Sequence, residues 1–454
     1  MAKRSDIAAI RMGYGLGGAP MPEDPDAIVA GLLTDDDQRK AYPMTGLAQA
    51  SVLAAQLQAA RRDLRKGVDG AKDEAKTLRR AVIAARDGAA RQRLARILDT
   101  DTPFRERLTG FWVDHFTAVG QGPGRWALVP AFVDEAVRPN IAGRFADLLK
   151  AAVLHPLMLE YLDQSRSAGP NSRVGRTQRR GMNENLAREV LELHTLGSTG
   201  TYSQADVRQF AELLTGMTYT PRKGVRFQPA LAEPGPESVL GATYGGPGGP
   251  AQADITEFLE DLAVHPDTAR HVARKLAVHF QADTPDPDLV ASLERAYRDS
   301  GGALTEVYRA LLSHPAMWTE PGGKAKQPFD FVASSFLALG MQGSEVAGWK
   351  RRDWRQYVEQ PMVKMGQDFF SPPGPDGWPE AADAWITPQG LSQRIVWSMR
   401  TPAALRDTLP DPRAFVQTAL GSTASRRLAW AVGAAETRPQ GVGLVLSAPE
   451  FNRR

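Results

Sequence analysis

Between Gly181 and Gly197 the chain alternates polar and apolar residues with the spacing of an amphipathic helix. At about 100° per residue, the polar residues fall on one stripe and the apolar residues on the opposite face. The polar stripe consists of Glu184, Arg188, Glu192 and Thr195. The apolar face consists of Met182, Leu186, Val190 and Leu193. The pattern predicts one helix, capped at its start by Asn183 and stopped at Gly197, with a second helix beginning at Ser203.

The wide polar arc of the first helix allows two interpretations. In one, Glu184, Arg188 and Glu192 form a solvated ladder, in which each ion pair contributes about 0.3–0.5 kcal/mol. In the other, Glu189, Glu192 and His194 are candidate catalytic residues of a metal site or an acid–base cluster. Glu192 and His194 point about 160° apart and cannot bind the same ion, whereas Glu189 and Glu192 could bind one with a partner from another helix. The sequence favours the ladder, because charged runs on helices are usually solvated.

Residues 46–98 are rich in Ala, Arg, Lys, Gln and Leu, which are strong helix formers. The pair Asp69-Gly70 interrupts this run, so the pattern predicts a long charged helical hairpin near the N-terminus. Its arginines could face the phosphates of a nucleic acid. Acidic residues such as Asp63 and Asp73 are interspersed among them, and this mixture is typical of a solvated surface. The pattern therefore argues against nucleic-acid binding.

Histidines supply further candidate chemistry on two predicted helices. His115 lies beside Phe111 and Trp112, where it is either a ligand or base or, more commonly, a packed core residue. His271 and His279 lie about 12 Å apart along their helix axis, too far apart to bind one metal ion directly. Either of them could supply one ligand to a site that the central helix completes.

Other histidines precede proline and begin apolar runs. Proline favours the first position of a helix, with an extended residue before it. These dipeptides therefore predict helix starts rather than catalytic groups. They are His155-Pro156, His265-Pro266 and His314-Pro315.

Residues 217–253 are rich in Pro and Gly and contain short β-leaning pieces, which predict one short β-hairpin. Elsewhere the periodicity is helical, and no alternation of strands and helices appears. We therefore expect a mainly α fold, a multi-helix globular body with the charged hairpin at residues 46–98. Its expected organisation is an N-terminal region 1–165, a central region 166–320 and a C-terminal region 321–454, or one continuous domain.

A Gly/Ser/Arg-rich loop at residues 165–180 leads directly into the central helix and contains Arg179 among its arginines. Such a loop suits an anion cradle at a helix N-terminus, and it is equally typical of a mobile surface loop. The candidate binding residues in this region are Arg176, Arg180, Asn183, Glu184 and Arg188.

A second candidate binding region is the Pro/Gly/Trp-rich stretch from Phe370 to Trp385. Trp378 and Trp385 suit a cleft for a sugar or a peptide, because indole rings stack on such ligands. The alternative is a loop that the two tryptophans pin to the helical body, and the sequence slightly favours it.

Composition narrows the class of protein. The chain has 454 residues, enough for a substantial core, with 42% hydrophobic and 24% charged residues, as in soluble globular proteins. It has no cysteine, which excludes disulfides, thiolate metal ligands, iron–sulfur clusters and a cysteine nucleophile. No apolar run approaches the ~18 residues that a membrane span needs, so we expect no membrane insertion. The first residues lack the apolar core of a signal peptide, which makes a cytoplasmic location the default expectation.

The central pattern belongs to a longer set of motifs. It reads Asn183-Glu-Asn-x-Ala-Arg-Glu-x-x-Glu-Leu-His-Thr-Leu-Gly197 and is followed by a Tyr-x-Gln-x-Asp-Val segment at Tyr202. The Pro-Pro-Gly-Pro-Asp-Gly-Trp-Pro motif from Pro372 to Pro379 and the helix after His265 agree with it. These motifs, spread over nearly all of the chain, resemble the signature of the bacterial domain of unknown function 1800 family.

The resemblance implies little about chemistry, because the family has no settled activity. Its members are often exported, and they are often encoded beside another uncharacterised, phosphatase-like family, which implies a separately encoded protein partner. One departure concerns metal binding. The family pattern has a His before Glu-Pro-Gly, where this chain has Ala232, so a metal site that used this His would be in doubt here.

Three functional hypotheses follow, of which the first is favoured. It is a helical binding or accessory protein that acts with a separately encoded partner, since the sequence shows no complete catalytic constellation. The alternative is a hydrolytic or metal-assisted enzyme, with a divalent metal ion as its cofactor. Its candidate residues are Glu189, Glu192, His194, His115 and either His271 or His279. The least favoured hypothesis is nucleic-acid binding, because a net charge of +3 is mild.

Overall fold

The computed structural model describes residues 2–178 and 180–454, so the predicted role of Arg179 lies outside the described residues. Over this range the chain is mainly α, which confirms the expected fold class. In the described residues, the strands of the fold form only two small antiparallel pairs.

Most of the N-terminal third is helical. Its α-helices are Arg4–Arg11, Pro25–Leu32, Asp37–Ala41, Leu47–Arg65, Ala71–Asp99, Pro103–His115, Pro123–Trp126, Val129–Ala131, Phe145–Val153 and Pro156–Tyr161. A π-helix spans Phe132–Val137, and 3₁₀ turns span Arg138–Asn140 and Gln164–Arg166.

The central and C-terminal parts continue in the same way. The central α-helices are Arg173–Gln178, Asn185–Glu189, Gln204–Leu213, Gln252–Ala263, Pro266–Phe280, Pro287–Asp299 and Leu304–Ser313. The C-terminal α-helices are Pro328–Ala338, Gly343–Ala347, Arg351–Trp354, Gln360–Lys364, Pro388–Leu405, Pro412–Leu420, Arg426–Gly433 and Arg438–Ser447. The π-helices are Val190–Thr195 and Arg355–Glu359, and the 3₁₀ turns are Pro315–Trp318, Ala382–Ala384 and Gly421–Thr423.

The charged helical hairpin is confirmed. Its helices, Leu47–Arg65 and Ala71–Asp99, pack against each other. The turn between them contains Gly67 and Gly70, whose φ angles of 72° and 77° are ones that glycine adopts without strain. The predicted break at residues 69–70 therefore lies in the turn.

The predicted β-hairpin region contains two consecutive hairpins. Strand β1 (Met217–Thr220) pairs with β2 (Gly224–Phe227), with Met217 opposite Phe227. Strand β3 (Glu237–Val239) pairs with β4 (Ala242–Tyr244), with Glu237 opposite Tyr244.

All three His-Pro dipeptides begin helices, as predicted. In each of them, Nδ1 of the histidine accepts a hydrogen bond from the backbone N–H two residues further on. The N···N distance is 3.1 Å for His155 and His265 and 3.3 Å for His314. The imidazole thus occupies the N-cap position and satisfies a free N–H, as Ser or Asp does in other helices. These histidines serve the fold.

The helix that carries the family motif, called the signature helix below, departs from the predicted spacing. It is α-helical over Asn185–Glu189 and a π-helix over Val190–Thr195. A π-helix bonds residue i to i+5, so each later residue is rotated away from its α-helical position. Thr195, predicted on the polar stripe, is fully buried, and its hydroxyl donates to the carbonyl of Val190 at 2.6 Å. Leu193, predicted on the apolar face, is only half-buried. The predicted faces are therefore wrong at Leu193 and Thr195, whereas Val190, predicted on the apolar face, is fully buried.

Buried apolar side chains form two hydrophobic cores. The first core draws on residues 8–317 and contains the signature helix, and most of the second core comes from residues 329–451. The long helix Ala71–Asp99 belongs to both, because Val82 lies in the first core and Leu94 in the second. The division of the chain into three regions stays a prediction.

Candidate functional site

A cavity of about 90 Å³ lies where the two cores meet. Phe111 and Phe132 of the first core and Phe329 and Phe369 of the second form much of its apolar wall. The charged and titratable side chains that line it are Arg93, Arg107, Asp114, His279, Asp330 and Asp368. An apolar pocket with a few polar groups, placed between two structural units, is where proteins commonly bind small molecules.

Asp114 lies at the cavity wall and is only partly exposed. Burial raises the pKa of its carboxyl to about 7, and the Glu380 carboxylate adds to the rise. The backbone N–H of Trp378, which donates to Oδ1 at 3.0 Å, and the cations Lys275 and Arg93 act against it. Asp114 is therefore about half protonated at neutral pH and can both donate and accept hydrogen bonds.

The loop that carries Trp378 approaches Asp114 closely because Gly377 precedes the tryptophan. Gly377 has φ of 85°, and a Cβ atom on it would lie 2.8 Å from Cγ of Asp114. A side chain would both clash there and strain the backbone. Glycine at this position thus permits the hydrogen bond between the loop and the carboxyl.

Arg93 brings a positive charge to the cavity. Its guanidinium lies over the rings of Phe329 and Phe369, with 4.7 Å and 5.8 Å to the ring centroids. It passes the neighbouring helix at Gly110, where a Cβ atom would lie 2.8 Å from Nη2. Among the described residues it forms no ion pair, so these aromatic rings are its main partners.

Arg107 and Asp330 form a buried ion pair at the cavity wall, with 2.7 Å between Nη1 and Oδ2. Arg107 also donates to the carbonyl of Gly13 through Nε and Nη2, and Nε of Arg454 lies 3.4 Å from the same Oδ2. Burial acts to raise the pKa of Asp330, but the two guanidiniums hold it below its usual value. The charge of Arg107 is thus already compensated within the protein.

His279 is buried at the cavity wall. Its Nδ1 lies 2.5 Å from Oε1 of Glu380, whose Oε2 lies 2.9 Å from Nζ of Lys324. Burial lowers the pKa of His279 to about 4, although Glu380 acts to raise it. Burial acts to raise the pKa of Glu380, but His279, Lys324 and Arg454 hold it well below its usual value. Both pKa shifts are consistent with a neutral His279 that donates its Nδ1–H to an ionised Glu380. Its Nε2 is then an acceptor, which has no hydrogen-bond partner among the described residues.

The other candidate histidines surround the end of the signature helix. Nε2 of His271 lies 3.0 Å from the carbonyl oxygen of Leu193, and Nε2 of His115 lies 3.1 Å from that of His194. Carbonyls in the last turn of a helix have no partner within the helix, so these imidazoles satisfy them. The ring of His194 itself is fully buried, and burial, with a smaller effect of Lys275, lowers its pKa to about 3. These contacts give His271 and His115 a structural role, whereas neither ring nitrogen of His194 has a hydrogen-bond partner among the described residues.

Glu189 and Glu192 lie apart from these rings, on the half-buried side of the signature helix. Burial raises the pKa of Glu189, and the Glu192 carboxylate adds to the rise. Of the predicted ladder, the structure contains the Glu184–Arg188 pair at 3.1 Å. No group of three His, Asp or Glu side chains in the described part of the chain is arranged to hold a metal ion. A catalytic or metal-binding role for the predicted Glu/His set stays a prediction.

The predicted binding residues fall into different settings. Arg176 is exposed, whereas the guanidinium of Arg180 donates to the carbonyl of Arg166 at 3.1 Å. The side-chain oxygen of Asn183 accepts a hydrogen bond from the N–H of Asn185 at 2.8 Å, but the N-cap position itself is Glu184, one residue after the predicted one. The structure thus engages Arg180 and Asn183 locally and leaves Arg176 in solvent.

The two tryptophans of the C-terminal loop also differ. Trp378 lines the cavity, whereas Trp385 is buried and donates its Nε1–H to the carbonyl of Pro379 at 2.7 Å. Their rings lie 5.9 Å apart. Trp378 therefore keeps a place in a candidate binding site, while the contacts of Trp385 hold the loop.

Sequence reasoning missed Arg93 and Asp114. Asp114 carried a usable signal, because it is a single carboxylate within an aromatic run from Phe111 to Phe116. Arg93 carried none, since it is one of many arginines on the charged hairpin.

Comparison with known proteins gives one match. A family profile described as "Protein of unknown function (DUF1800)" matches residues 8–453. No curated protein and no solved structure matches the chain significantly. Among the described helices, none combines the length and apolar character that crossing a membrane requires.

Proposed function

Since the chain belongs to the DUF1800 family, whose function is unknown, we propose a function from the site itself: a helical binding protein that holds a small molecule in the cavity between its two cores. The observation that carries this proposal is the cavity wall, which combines aromatic rings with Arg93, Asp114 and His279. Apolar walls supply affinity, and a few placed polar groups supply orientation.

The size of the cavity limits the ligand. A dry cavity of ~150 Å³ holds one benzene molecule, and this cavity measures about 90 Å³. The ligand, or the part of it that enters, is therefore smaller than benzene. Such a ligand reaches at most about −1.5 kcal/mol per non-hydrogen atom, so we expect dissociation constants from micromolar to millimolar.

Ligand-observed NMR tests this proposal, with a library of molecules of about three to six non-hydrogen atoms. We expect binding that the variant Ala118→Phe abolishes, because Ala118 lines the cavity and a phenyl ring would fill it. The control is Ala253→Phe, which adds the same ring at an exposed position of the helix Gln252–Ala263. Absence of binding by the whole library at millimolar concentration, or equal binding by both variants, would contradict the proposal.

Action together with a separately encoded partner remains part of the proposal. Apolar side chains at the tip of the charged hairpin support it, because Leu64 is 44% exposed and Val68 is 51% exposed. To test it, this protein is mixed with the phosphatase-like protein that is encoded beside a family member, and the mixture is analysed by size-exclusion chromatography. A complex that forms with the wild type and is lost in the double variant Leu64→Glu, Val68→Glu is expected. Separate elution of the two wild-type proteins would count against this partner.

Acid–base catalysis in the same cavity is a second candidate function. It rests on Asp114, whose pKa of about 7 suits a general acid or base near neutral pH. A panel of generic ester and phosphate substrates tests it. We expect turnover that Asp114→Asn reduces by a factor of about 10²–10⁴, and turnover unchanged in this variant would remove Asp114 from the mechanism.

A further inference from the structure

Among the described residues, the ion pairs around the cavity engage Arg107, Asp330 and Glu380, whereas Arg93 and the exposed Asp368 form none. Arg107 is compensated by Asp330, and Glu380 is compensated by Lys324 and accepts a hydrogen bond from the neutral His279. In the described part of the chain, Arg93 has aromatic neighbours but no carboxylate partner.

We propose that the cavity binds a small carboxylate, with the Arg93 guanidinium as its counter-charge and Asp114 as a hydrogen-bond partner. This inference rests on the binding function proposed above and names its ligand class. A guanidinium offers two parallel N–H donors that match the two oxygens of a carboxylate. The rings of Phe329 and Phe369 lie within about 6 Å of the guanidinium carbon of Arg93 and so help to hold the guanidinium at the cavity.

The state of Asp114 is compatible with an anionic ligand beside Arg93. Its surroundings stabilise the neutral carboxyl, which can donate its O–H to a carboxylate, whereas an ammonium ligand would need the ionised form. Of the other two carboxylates on the cavity lining, Asp330 is paired with Arg107, and Asp368 is exposed to solvent and therefore acts on a ligand only through screened interactions.

The aliphatic part of such a ligand would pack on the aromatic wall. The volume of about 90 Å³ admits a chain of a few carbon atoms and excludes a carboxylate that carries a benzene ring. Propionate, with five non-hydrogen atoms, is a suitable probe. Propionamide and propylamine have nearly the same size and replace its negative charge with no charge and a positive charge.

Isothermal titration of the full chain with these three probes tests the inference. We expect the wild type to bind propionate most tightly and Arg93→Met to bind it at least about tenfold more weakly, the effect of losing a charge-assisted hydrogen bond. Methionine keeps much of the side-chain length over the two rings. Arg80→Met, an exposed position of the same helix, is the matched control and should bind propionate as the wild type does.

Further outcomes separate this inference from the proposed binding function. Equal affinity for propionate and propionamide, or a preference for propylamine, would overturn the carboxylate class while a binding cavity remained. Unchanged propionate affinity in Arg93→Met would do the same. Should Arg93→Met fail to fold, Arg93→Lys keeps the charge without the fork and is expected to weaken propionate binding while leaving propionamide binding unchanged. Absence of binding by all three probes in NMR and titration would contradict the carboxylate inference. If no molecule of the wider NMR library bound either, the proposed binding function would be contradicted as well.

Discussion

Asp114 and His115 are neighbours in the chain, yet they belong to regions where buried ionisable groups have opposite roles. His115 lies against the end of the signature helix, where its Nε2 satisfies a backbone carbonyl and aromatic rings surround it. Asp114 lies at a cavity that is also lined by Arg93 and His279, and within the described part of the chain the Arg93 guanidinium has no ion pair and Nε2 of His279 has no hydrogen-bond partner. Both have strongly shifted pKa values. Since Nδ1 of His115 also lacks a hydrogen-bond partner among the described residues, a shifted pKa marks a candidate site only where open space accompanies it.

The largest expected loss of stability comes from breaking the buried Arg107–Asp330 ion pair of the cavity wall. Asp330→Ala leaves Arg107 and Arg454 without their shared carboxylate, and we expect the free energy of unfolding to fall by about 3–5 kcal/mol. Urea denaturation at neutral pH measures it. Asp383→Ala, which removes an exposed carboxylate, is the control and should have an effect within about 0.5 kcal/mol. If Asp330→Ala lowered the free energy of unfolding by less than about 1 kcal/mol, the ion pair would contribute little to the stability of this region.

Local rules predicted much of the fold, because helix periodicity and caps act within a few residues. The hairpin at 46–98 and the His-Pro helix starts follow from such rules. The π-helical part of the signature helix does not follow from such rules. The α and π forms differ by only one residue in the spacing of their hydrogen bonds, and tertiary packing decides between them.

The candidate site escaped prediction for a related reason. Arg93, Asp114 and Phe329 are brought together only when the two cores pack, and no spacing in the sequence records that contact. Sequence reasoning selected His115, His194, His271 and His279, and two of them, His115 and His271, satisfy backbone carbonyls at the end of the signature helix.

The next prediction concerns the charge state of Asp114. The pKa of its carboxyl is about 7 in the folded protein, against an ordinary value of 3.8, so the folded state holds the proton more tightly than the unfolded chain does. Stability therefore falls as pH rises from about 4 to 7 and stays lower above that range. Asp114→Asn cannot ionise and keeps an oxygen for the Trp378 N–H, so at pH 8 we expect it to exceed the wild type by about 2–4 kcal/mol.

Urea denaturation of both proteins at pH 4 and pH 8 checks this expectation. The difference between them should nearly vanish at pH 4, where both side chains are neutral. A constant difference at the two pH values would mean that Asp114 is solvated like a surface carboxylate, and the contrast with His115 would disappear.

A smaller effect belongs to the cap of the signature helix. His115→Leu removes the donor to the carbonyl of His194 and leaves that oxygen buried and unpaired, which we expect to cost about 1–3 kcal/mol. His115→Gln retains a side-chain N–H donor and should cost less, so this pair of variants separates hydrogen bonding from packing. If both variants lost the same stability, the ring of His115 would matter for its shape alone.

The smallest expected effect lies at His194, at the centre of the family motif. Its ring is fully buried, and neither nitrogen has a hydrogen-bond partner among the described residues. Leucine has nearly the same volume and loses no hydrogen bond there, so we expect His194→Leu to change the free energy of unfolding by less than about 1 kcal/mol at pH 7. The folded pKa of about 3 lies below the ordinary 6.5, so the wild type should lose stability as pH falls from 6.5 towards 3, and the variant should lose less. A loss above about 2 kcal/mol at pH 7 would instead mean that the imidazole has a polar partner, and it would return His194 to the candidate catalytic residues.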